Sequence, residues 1–322
     1  MFKEIGSDYA LTPISKSIGV RFPCDGSLVF SGRTAIEAVL KCIPNAKTAL
    51  LPSYCCDSMI VPFQKAGLRV SFFETNYKDE FNYRIRESAD ILLWNNYFGF
   101  SNDMPEFDGI IIEDITHSLL SENQYHQRSD YYVASLRKWE PIASGGFCSV
   151  ATDYLEPPKE YLDLKLKAMD LKTSYLAGKP IRKDSFLNLF RESNEWLKNN
   201  YSGLSIDKYS KDYLDHVDVE KQRRIRRANA KALYDGLDGI VQFMFPVDQM
   251  DCPLFVPIIL SDNRDKVRRH LIQNNIYCPI HWPHPNAECE SNIYDMELSL
   301  ICDQRYGEED MRRIVDTLKV IL

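Results

Sequence analysis

The segment Ala134-Ser135-Leu136-Arg137-Lys138-Trp139, followed by Ser144-Gly145-Gly146-Phe147, carries the most information about the fold and its chemistry. The apolar run before Ser135 predicts a buried strand, so Lys138 comes just past the end of that strand. An amine in this position suits imine formation in a cleft, and Ser135 could bind a phosphate group. An isolated SxxK pattern is more often a surface lysine in a loop, so this segment needs support from elsewhere in the chain.

Short apolar runs alternate with helical stretches from residue 28 to about residue 150. This alternation is typical of a mainly parallel sheet with helices on its faces, and functional residues are expected at the ends of its strands. Seven strands are predicted, at Leu28–Phe30, Ala49–Pro52, Val70–Phe73, Ile91–Trp94, Ile110–Glu113, Tyr132–Ser135 and Phe147–Ala151.

Helices are predicted between and after these strands from their apolar spacing. They are Thr34–Cys42, Asp57–Ala66, Lys159–Leu176, Ser185–Lys198, Val219–Leu237, Arg264–Asn274 and Glu308–Ile321. Two further strand-like runs, Leu254–Leu260 and Ile276–Ile280, lie among the last of these helices. We therefore expect an α/β fold with a large domain over residues 1–220, which includes crossover helices, and a smaller C-terminal α+β domain over residues 221–322.

The composition bounds the class of protein. A chain of 322 residues with 44% hydrophobic residues is long enough for a large domain and a smaller one. The sequence has neither an apolar stretch of signal-peptide length in its first thirty residues nor a window apolar enough for a membrane span, so we expect a cytoplasmic protein. Nine cysteines, an odd number without CxxC spacing, indicate reduced thiols.

The charge balance argues against a general nucleic-acid binder, because the formal net charge is -7. One run, formed by Arg223, Arg224, Arg226 and Arg227, is locally basic. It lies in a helical pattern, so we interpret it as a solvated face or an interface.

A second chemical feature is the acidic end of a predicted buried strand, where Gly109-Ile110-Ile111-Ile112 is followed by Glu113-Asp114. Burying a carboxylate is costly unless it meets a cation, and a protonated pyridine nitrogen is such a cation. Asp114 would then hold the proton on the nitrogen of a pyridine ring, so that the ring can act as an electron sink. His117 could hydrogen-bond the phenolic oxygen of the same ring. The alternatives are that Asp114 caps the next helix and that His117 is an ordinary half-buried histidine.

The segment Phe30-Ser31-Gly32-Arg33-Thr34-Ala35 joins a predicted strand to a predicted helix. Free backbone N–H groups, a hydroxyl and an arginine at a helix N-terminus form an anion site, although a plain capped helix is the alternative. GxGxxG and Walker A patterns are absent from the sequence, which disfavours NAD-dependent and NTPase functions.

The histidines predict no metal site. His281 and His284 lie in Ile280-His281-Trp282-Pro283-His284-Pro285, where the prolines favour a rigid turn and prevent a helical HxxxH pattern. The aromatic and imidazole surface of that turn could instead flank a substrate or pack between domains. A GxSxG elbow is also missing from the sequence.

Taken in chain order, these residues resemble the DegT/DnrJ/EryC1/StrS family of sugar aminotransferases over nearly the whole chain. That family has the aspartate-aminotransferase-like fold of pyridoxal 5'-phosphate (PLP) enzymes, called fold type I. The matching motifs are Ser31-Gly32-Arg33-Thr34-Ala35, Leu51-Pro52-Ser53-Tyr54, Asn95-Asn96-Tyr97-Phe98-Gly99, Glu113-Asp114-Ile115-Thr116-His117, Lys138 before Gly145-Gly146, Pro279-Ile280-His281-Trp282-Pro283 and Arg305-Tyr306-Gly307-Glu308-Glu309-Asp310.

The resemblance implies PLP as the cofactor and a role for each matching residue. Lys138 would be the Schiff-base lysine and the acid/base that moves a proton between the cofactor and the substrate carbon. Asp114 would pair with the pyridine nitrogen, and His117 would contact the ring oxygen. The residues expected at the cofactor phosphate are Arg33, Thr34, the amide of Ala35 and Ser135.

Other positions follow from the same resemblance. Asn96 lies in the segment that resembles the family's histidine-aromatic-glycine motif, and we include it among the cofactor-binding residues. The family commonly stacks an aromatic residue on the cofactor ring at the position of Cys56, so either Cys56 or Tyr54 takes that place. Dehydratases of the family have histidine at the position of Lys138, so this lysine favours transamination.

The function expected from the resemblance is amino transfer, usually from glutamate, to a keto-sugar nucleotide in polysaccharide or antibiotic-sugar synthesis. A homodimer is expected because this fold builds its active site at a two-fold interface. The alternatives are the same reaction on a smaller keto compound, a PLP-binding regulator without turnover, and an α/β domain without PLP. Nucleic acid, membrane and metal are not expected as partners.

Overall fold

The computed structural model describes residues 4–14, 17, 19–101, 103–285 and 289–322. Its strands, numbered along the chain, are β1 Ile5–Gly6, β2 Ser27–Val29, β3 Thr48–Pro52, β4 Arg69–Tyr77, β5 Phe81–Arg84, β6 Ile91–Asn95, β7 Ile110–Asp114, β8 Tyr131–Ser135, β9 Gly146–Cys148, β10 Gln242–Phe243, β11 Val256–Ile259, β12 Ile276–Tyr277 and β13 Glu297–Leu300. Its helices are α1 Gly32–Lys41, α2 Asp57–Lys65, α3 Lys159–Leu176, α4 Lys183–Asn199, α5 Lys208–Leu214, α6 Val219–Leu237, α7 Arg264–Gln273, α8 Ile293–Met296 and α9 Glu308–Ile321, with short 3-10 helices at Leu136–Lys138 and Val247–Gln249.

These elements form two compact units. Unit 1 comprises Met1–Ser7, Asn45–Asp130 and Val219–Leu322, and unit 2 comprises Asp8–Pro44 and Tyr131–Asp218. Unit 1 takes residues from both domains expected from the sequence, 1–220 and 221–322. The two units are therefore a different division of the chain, and the domain boundary stays a prediction.

Unit 1 contains the parallel strands of the large sheet. Their order is β7-β6-β3-β4, with β5 added antiparallel to β4. β6 is buried along its whole length and β3 at every residue but the first, as expected for parallel strands with covered faces. Asn95 pairs with Asp114 at the ends of β6 and β7, so the residues that follow these two strands start from the same edge of the sheet.

Residues 219–322 add an antiparallel sheet of order β10-β11-β13, and helices α6, α7 and α9 lie in the same stretch of chain. This mixture of short antiparallel strands and helices is the α+β character that the sequence predicts. β1 pairs in parallel with β12, which ties the start of the described chain to unit 1.

Unit 2 is built around an antiparallel run of three strands, β2-β9-β8. Gly146 of β9 pairs with Val29 on one side and with Ser135 on the other. Helix α1 packs on β8 and β9, and α3 and α4 pack against each other. The core between these two helices contains Ala168, Met169, Phe186 and Phe190.

All seven strands predicted between residues 28 and 151 are present, but the prediction of seven is wrong by one, because the structure has eight strands in that stretch. The missed strand is β5, whose residues alternate between half-buried and exposed and therefore lack a continuous apolar run. The strand predicted at Phe147–Ala151 ends at Cys148, and the one predicted at Ile276–Ile280 ends at Tyr277. Among the described residues, none of the helices combines the length and the apolarity needed to cross a membrane.

Candidate functional site

The first part of the candidate site is the N-terminal end of α1 in unit 2. Ser31 caps the helix, since its Oγ accepts the Thr34 N–H at 3.3 Å and lies 3.0 Å from Thr34 Oγ1. Thr34 is fully buried and its hydroxyl donates to Tyr201 O at 2.8 Å. The Ala35 N–H donates to Ser31 O at 2.9 Å, which is the first hydrogen bond within the helix. The N–H groups of Gly32 and Arg33 therefore form the part of this helix end that has no acceptor within the helix.

Glycines let the strands approach this helix end closely. A Cβ on Gly32 would lie 3.0 Å from the Ser135 Cβ, so Ser135 sits directly against the first turn of α1. A Cβ on Gly146 would overlap Ser31 O and would lie 2.5 Å from the Ser31 carbonyl carbon. The structure thus brings the predicted residues Arg33, Thr34, Ala35 and Ser135 together around one helix N-terminus, where an anion is stabilised by the helix dipole.

Lys138 ends the short 3-10 helix that follows Ser135, so it comes just past the end of β8. The chain then forms a loop over residues 136–145, which we call the lysine loop. Its two ends meet where the Leu136 N–H donates to Gly145 O at 3.1 Å. The Gly145 N–H in turn donates to Phe30 O at 2.7 Å, which joins the lysine loop to the strand that leads into α1.

A buried carboxylate anchors the C-terminal end of the lysine loop. Asp207 is 1% exposed and caps α5, where its Oδ1 accepts the Ser210 N–H at 2.9 Å. Its Oδ2 accepts the hydroxyls of Ser144 and Ser210 at 2.5 and 2.6 Å. The Tyr161 hydroxyl adds a bond to Ala143 O at 2.6 Å. Sequence reasoning missed these anchors because Asp207 has no signal beyond that of an ordinary helix cap.

The second group of candidate residues lies in unit 1, at the ends of β6 and β7. Asp114 is the last residue of β7 and is 7% exposed. Its Oδ1 accepts the Thr116 N–H at 2.9 Å, so the carboxylate is held in the turn after the strand. A carboxylate at this depth favours a cationic partner, as the sequence suggested.

His117 is held in a defined tautomer by its neighbour. It is 1% exposed, and its Nδ1 lies 3.1 Å from the Phe98 N–H, which can only donate. Nδ1 is therefore an acceptor, and in the neutral ring the proton is on Nε2. The His117 ring lies 5.7 Å from the Trp282 ring at an interplanar angle of 29°, so the turn containing Trp282 packs beside it.

Asn96 belongs to a buried polar network beneath β7. Its Nδ2 donates to Glu113 Oε1 at 2.9 Å, to Ser118 Oγ at 2.8 Å and to Gln124 O at 3.1 Å. Glu113 is fully buried and also accepts from His126 and Ser129. The amide nitrogen of Asn96 thus has structural partners already, and its role in binding a cofactor stays a prediction.

Tyr54 and Cys56 occupy different surroundings. Tyr54 is fully buried among aromatic rings, 5.7 Å from Tyr97 and 5.0 Å from Trp282, and its hydroxyl donates to His281 O. Burial, followed by the charge of Glu297, holds the pKa of Tyr54 well above its usual value, so it remains a neutral phenol. Cys56 is the N-cap residue of α2 but its side chain does not accept a backbone N–H of the helix, and its Sγ lies 2.8 Å from Ser58 Oγ. Which of the two stacks on the cofactor ring stays a prediction.

Comparison with known proteins was made by sequence and by structure. No family model matches the chain, and no curated protein matches its sequence significantly. Solved structures do match. A DegT DnrJ EryC1 StrS aminotransferase from Brucella abortus is 14% identical, with a TM-score of 0.63 over 94% of this chain and 87% of that one.

Two further structures match to the same degree. Spr1654 from Streptococcus pneumoniae, assigned as a sugar aminotransferase and solved in its PLP form, is 12% identical, with a TM-score of 0.64 over 92% of this chain and 85% of that one. DesI, solved in the presence of its TDP-sugar product, is 13% identical, with a TM-score of 0.63 over 94% of this chain and 81% of that one. The chain therefore has the fold type I architecture of these proteins, which confirms the fold predicted from the sequence.

Proposed function

We propose that this protein is a PLP-dependent aminotransferase that moves an amino group from glutamate to a keto-sugar nucleotide, and that it works as a cytoplasmic homodimer. The observation that carries the proposal is the position of Lys138. In the fold of sugar aminotransferases, the lysine loop begins beside Ser135, which lies against the glycine end of α1. The lysine thus follows, three residues later, a serine that lies against a helix end suited to a phosphate, and all of these belong to one compact unit.

The residues present in unit 2 fit a phosphorylated cofactor. A Cβ has no room at Gly146 and would be tightly packed at Gly32, so the helix end, Ser135 and the neck of the lysine loop form one tight cradle. Helix N–H groups, a serine hydroxyl and an arginine are the donors that a phosphate monoester needs. The Ala35 amide already donates within α1, so Gly32, Arg33 and Ser135 are the residues that we assign to the phosphate.

PLP, when bound, supplies an electron sink that stabilises negative charge on a neighbouring carbon. Lys138 would bond to the cofactor as a Schiff base and would then act as the acid/base that moves a proton between the cofactor carbon and the substrate carbon. Asp114 would keep the ring nitrogen protonated, because a buried carboxylate stabilises the cation beside it. His117 would donate its Nε2–H to the phenolic oxygen, since Phe98 occupies its Nδ1.

The acceptor is the finer part of the proposal. DesI was solved with a TDP-sugar product, and this chain covers 81% of its length in the same fold. That likeness favours a nucleotide-linked keto-sugar over a smaller keto compound. Glutamate as the donor, the homodimer and the cytoplasmic location rest on the sequence resemblance.

The first experiment tests the covalent bond. Purified wild-type protein and the Lys138→Ala variant are mixed with PLP, reduced with borohydride and examined by absorbance and peptide mass mapping. We expect a yellow, reducible adduct on the peptide that contains Lys138, and none in the variant. The Lys179→Ala variant is the matched control, because Lys179 is exposed in the same unit and should leave the adduct unchanged.

A second experiment tests turnover. Glutamate added to the PLP-loaded protein should bleach the adduct, and a keto-sugar nucleotide should restore it. Bleaching without restoration by any nucleotide-linked acceptor would contradict the substrate, and restoration by a small keto acid alone would favour the smaller acceptor. A protein that binds PLP but does not respond to amino donors would be a regulator rather than an enzyme. If neither wild type nor variant forms an adduct, the aminotransferase proposal fails.

A further inference from the structure

Unit 2 contains a second feature beside the lysine loop, a cavity of about 390 Å³ that we call the basic pocket. This volume lies within the range of about 300–1,000 Å³ that is typical of small-molecule sites. The residues that matter in its lining are Arg33, Arg137, Arg191, Asn194, Glu195 and Lys198. Arg137 precedes Lys138, and Arg33 belongs to the first turn of α1, so the pocket adjoins the candidate site.

One face of α4 forms the outer wall of the basic pocket. Arg191, Asn194, Glu195 and Lys198 are spaced by three and four residues, which places them on the same side of a helix. All four are exposed. The opposite side of α4 carries buried residues such as Phe186 and Phe190, so packing fixes the direction in which the polar face points.

The lining charges are unbalanced. Four cations face one carboxylate, although the chain as a whole carries a net charge of -7. That carboxylate, on Glu195, accepts a hydrogen bond from Asn199 Nδ2 at 3.0 Å. Within the described part of the chain, carboxylates form no ion pair with Arg137, Arg191 or Lys198. The lining of the pocket therefore carries more positive than negative charge, and three of its cations have no carboxylate partner among the described residues.

The side chain of Arg137 is the strongest indication that this pocket binds a ligand. Its Nε is buried and has no hydrogen-bond partner among the described residues. Buried donors are nearly always paired in folded proteins, so an acceptor is expected from outside the chain. The positive charge of Arg137 also affects Lys165, since burial and then the charge of Arg137 lower the pKa of Lys165 to about 8.

We propose that the basic pocket binds the diphosphate group of the nucleotide-linked acceptor. The guanidinium groups of Arg137 and Arg191 can each present paired N–H donors to neighbouring phosphoryl oxygens, and Lys198 adds a point charge at the rim. A single carboxylate would neutralise only one of the four cations, whereas a diphosphate offers several anionic oxygens. The identity of this ligand rests on the proposed function, but the diphosphate chemistry of the pocket does not.

The test compares binding of inorganic pyrophosphate to PLP-loaded protein by isothermal titration calorimetry. The variant Arg191→Gln/Lys198→Gln removes two cations from the exposed wall. The matched control Lys179→Gln/Arg182→Gln removes two exposed cations of unit 2 that do not line the pocket. We expect the first variant to bind pyrophosphate at least about tenfold more weakly, and the control to bind like wild type.

Absorbance titration of each variant with PLP distinguishes two possible occupants of the pocket, the phosphate of the cofactor and the diphosphate of the acceptor. If the Arg191→Gln/Lys198→Gln variant loses PLP affinity and pyrophosphate competes with PLP, the pocket serves the cofactor phosphate and the proposal is overturned. It is also overturned if wild type does not bind pyrophosphate or if both variants bind it equally. Should the protein not take up PLP at all, titration of the unloaded protein still reports on the pocket, so the two proposals can fail separately.

Discussion

Replacing Gly146 by alanine tests whether the helix end and the lysine loop depend on one close backbone approach. The new Cβ would lie 2.5 Å from the Ser31 carbonyl carbon. Carbon atoms pack at about 3.5–4.0 Å, so the two backbone segments would have to separate by about 1 Å. Ser31 O accepts the first hydrogen bond of α1 from the Ala35 N–H, and a displacement of that size breaks it.

The expected loss of stability follows from these two effects. Overpacking by one methyl group costs about 1–3 kcal/mol, and the lost backbone hydrogen bond adds about 1 kcal/mol. The free energy of unfolding should therefore fall by about 2–4 kcal/mol, which for a chain of 322 residues corresponds to a Tm lower by roughly 3–6 °C. PLP should bind at least about tenfold more weakly, because the N–H groups of Gly32 and Arg33 move with the helix end.

Two measurements check the prediction: thermal denaturation of the unloaded protein and an absorbance titration with PLP. Gly307→Ala is the control for the substitution itself, since a Cβ at Gly307 meets nothing within 4 Å. Gly32→Ala is an intermediate case. Its Cβ meets a side-chain carbon at 3.0 Å, while alanine gains up to about 1 kcal/mol in a helix, so its stability should stay within about 1 kcal/mol of wild type.

The reasoning is refuted if Gly146→Ala melts like wild type and binds PLP with unchanged affinity. A Tm that falls without any change in PLP affinity would show that the displaced helix end does not bind the phosphate. Equal losses of stability for the Gly146 and Gly307 substitutions would exclude the contact with Ser31 as the cause.

Three other substitutions test separate parts of the structure. Asp207→Asn places an amide nitrogen against several donors and should cost about 2–4 kcal/mol in thermal denaturation, whereas the exposed Asp212→Asn should cost little. Lys165→Met should raise the free energy of unfolding at pH 7 by roughly 2–3 kcal/mol. The pKa of Lys165 is lowered to about 8, so burying its charged form destabilises the folded protein fully below pH 8 and progressively less towards pH 10.5. The substitution removes this destabilisation. The increase in the free energy of unfolding should therefore be smaller at pH 10 than at pH 7 when denaturation is measured at both, with Lys167→Met as the control. Asp114→Asn should keep PLP bound but lower kcat roughly 100-fold or more in a glutamate assay; an unchanged kcat would exclude a role at the ring nitrogen.

Buried strands could be predicted because burial on both faces leaves a continuous apolar run in the sequence. β6 is buried at every residue, and its predicted and observed ends differ by one residue. β5 could not be predicted in the same way, since its half-buried and exposed residues alternate and it is held by antiparallel pairing to β4. Short elements such as α5 and β13 depend on tertiary partners and leave little periodic signal.

Candidate residues were predictable where the chemistry is local. Ser135 and Lys138 lie three residues apart, and the structure places Ser135 against the end of α1, the helix end that the sequence proposed as an anion site, with Lys138 in the 3-10 helix that follows. The residues that position them are distant in sequence. Asp207 lies 63 residues from Ser144, and its pattern is that of a helix cap. Arg191 and Lys198 each look like ordinary surface residues, and only the packing of α4 shows that they line one cavity with Arg137.

The placement of Lys138 is thus a property of the tertiary structure rather than of its motif. The neck of the lysine loop is closed by one backbone hydrogen bond, from Leu136 to Gly145, which is too little to fix a loop of this length. Asp207 adds bonds at the C-terminal end of the loop, and a carboxylate suits this role because its two oxygens accept from Ser144 and Ser210 at once. A buried charge is tolerated only while those donors remain, so the same bonds that satisfy Asp207 also hold the loop. Stability of the fold and the reach of the amine therefore depend on the same contacts.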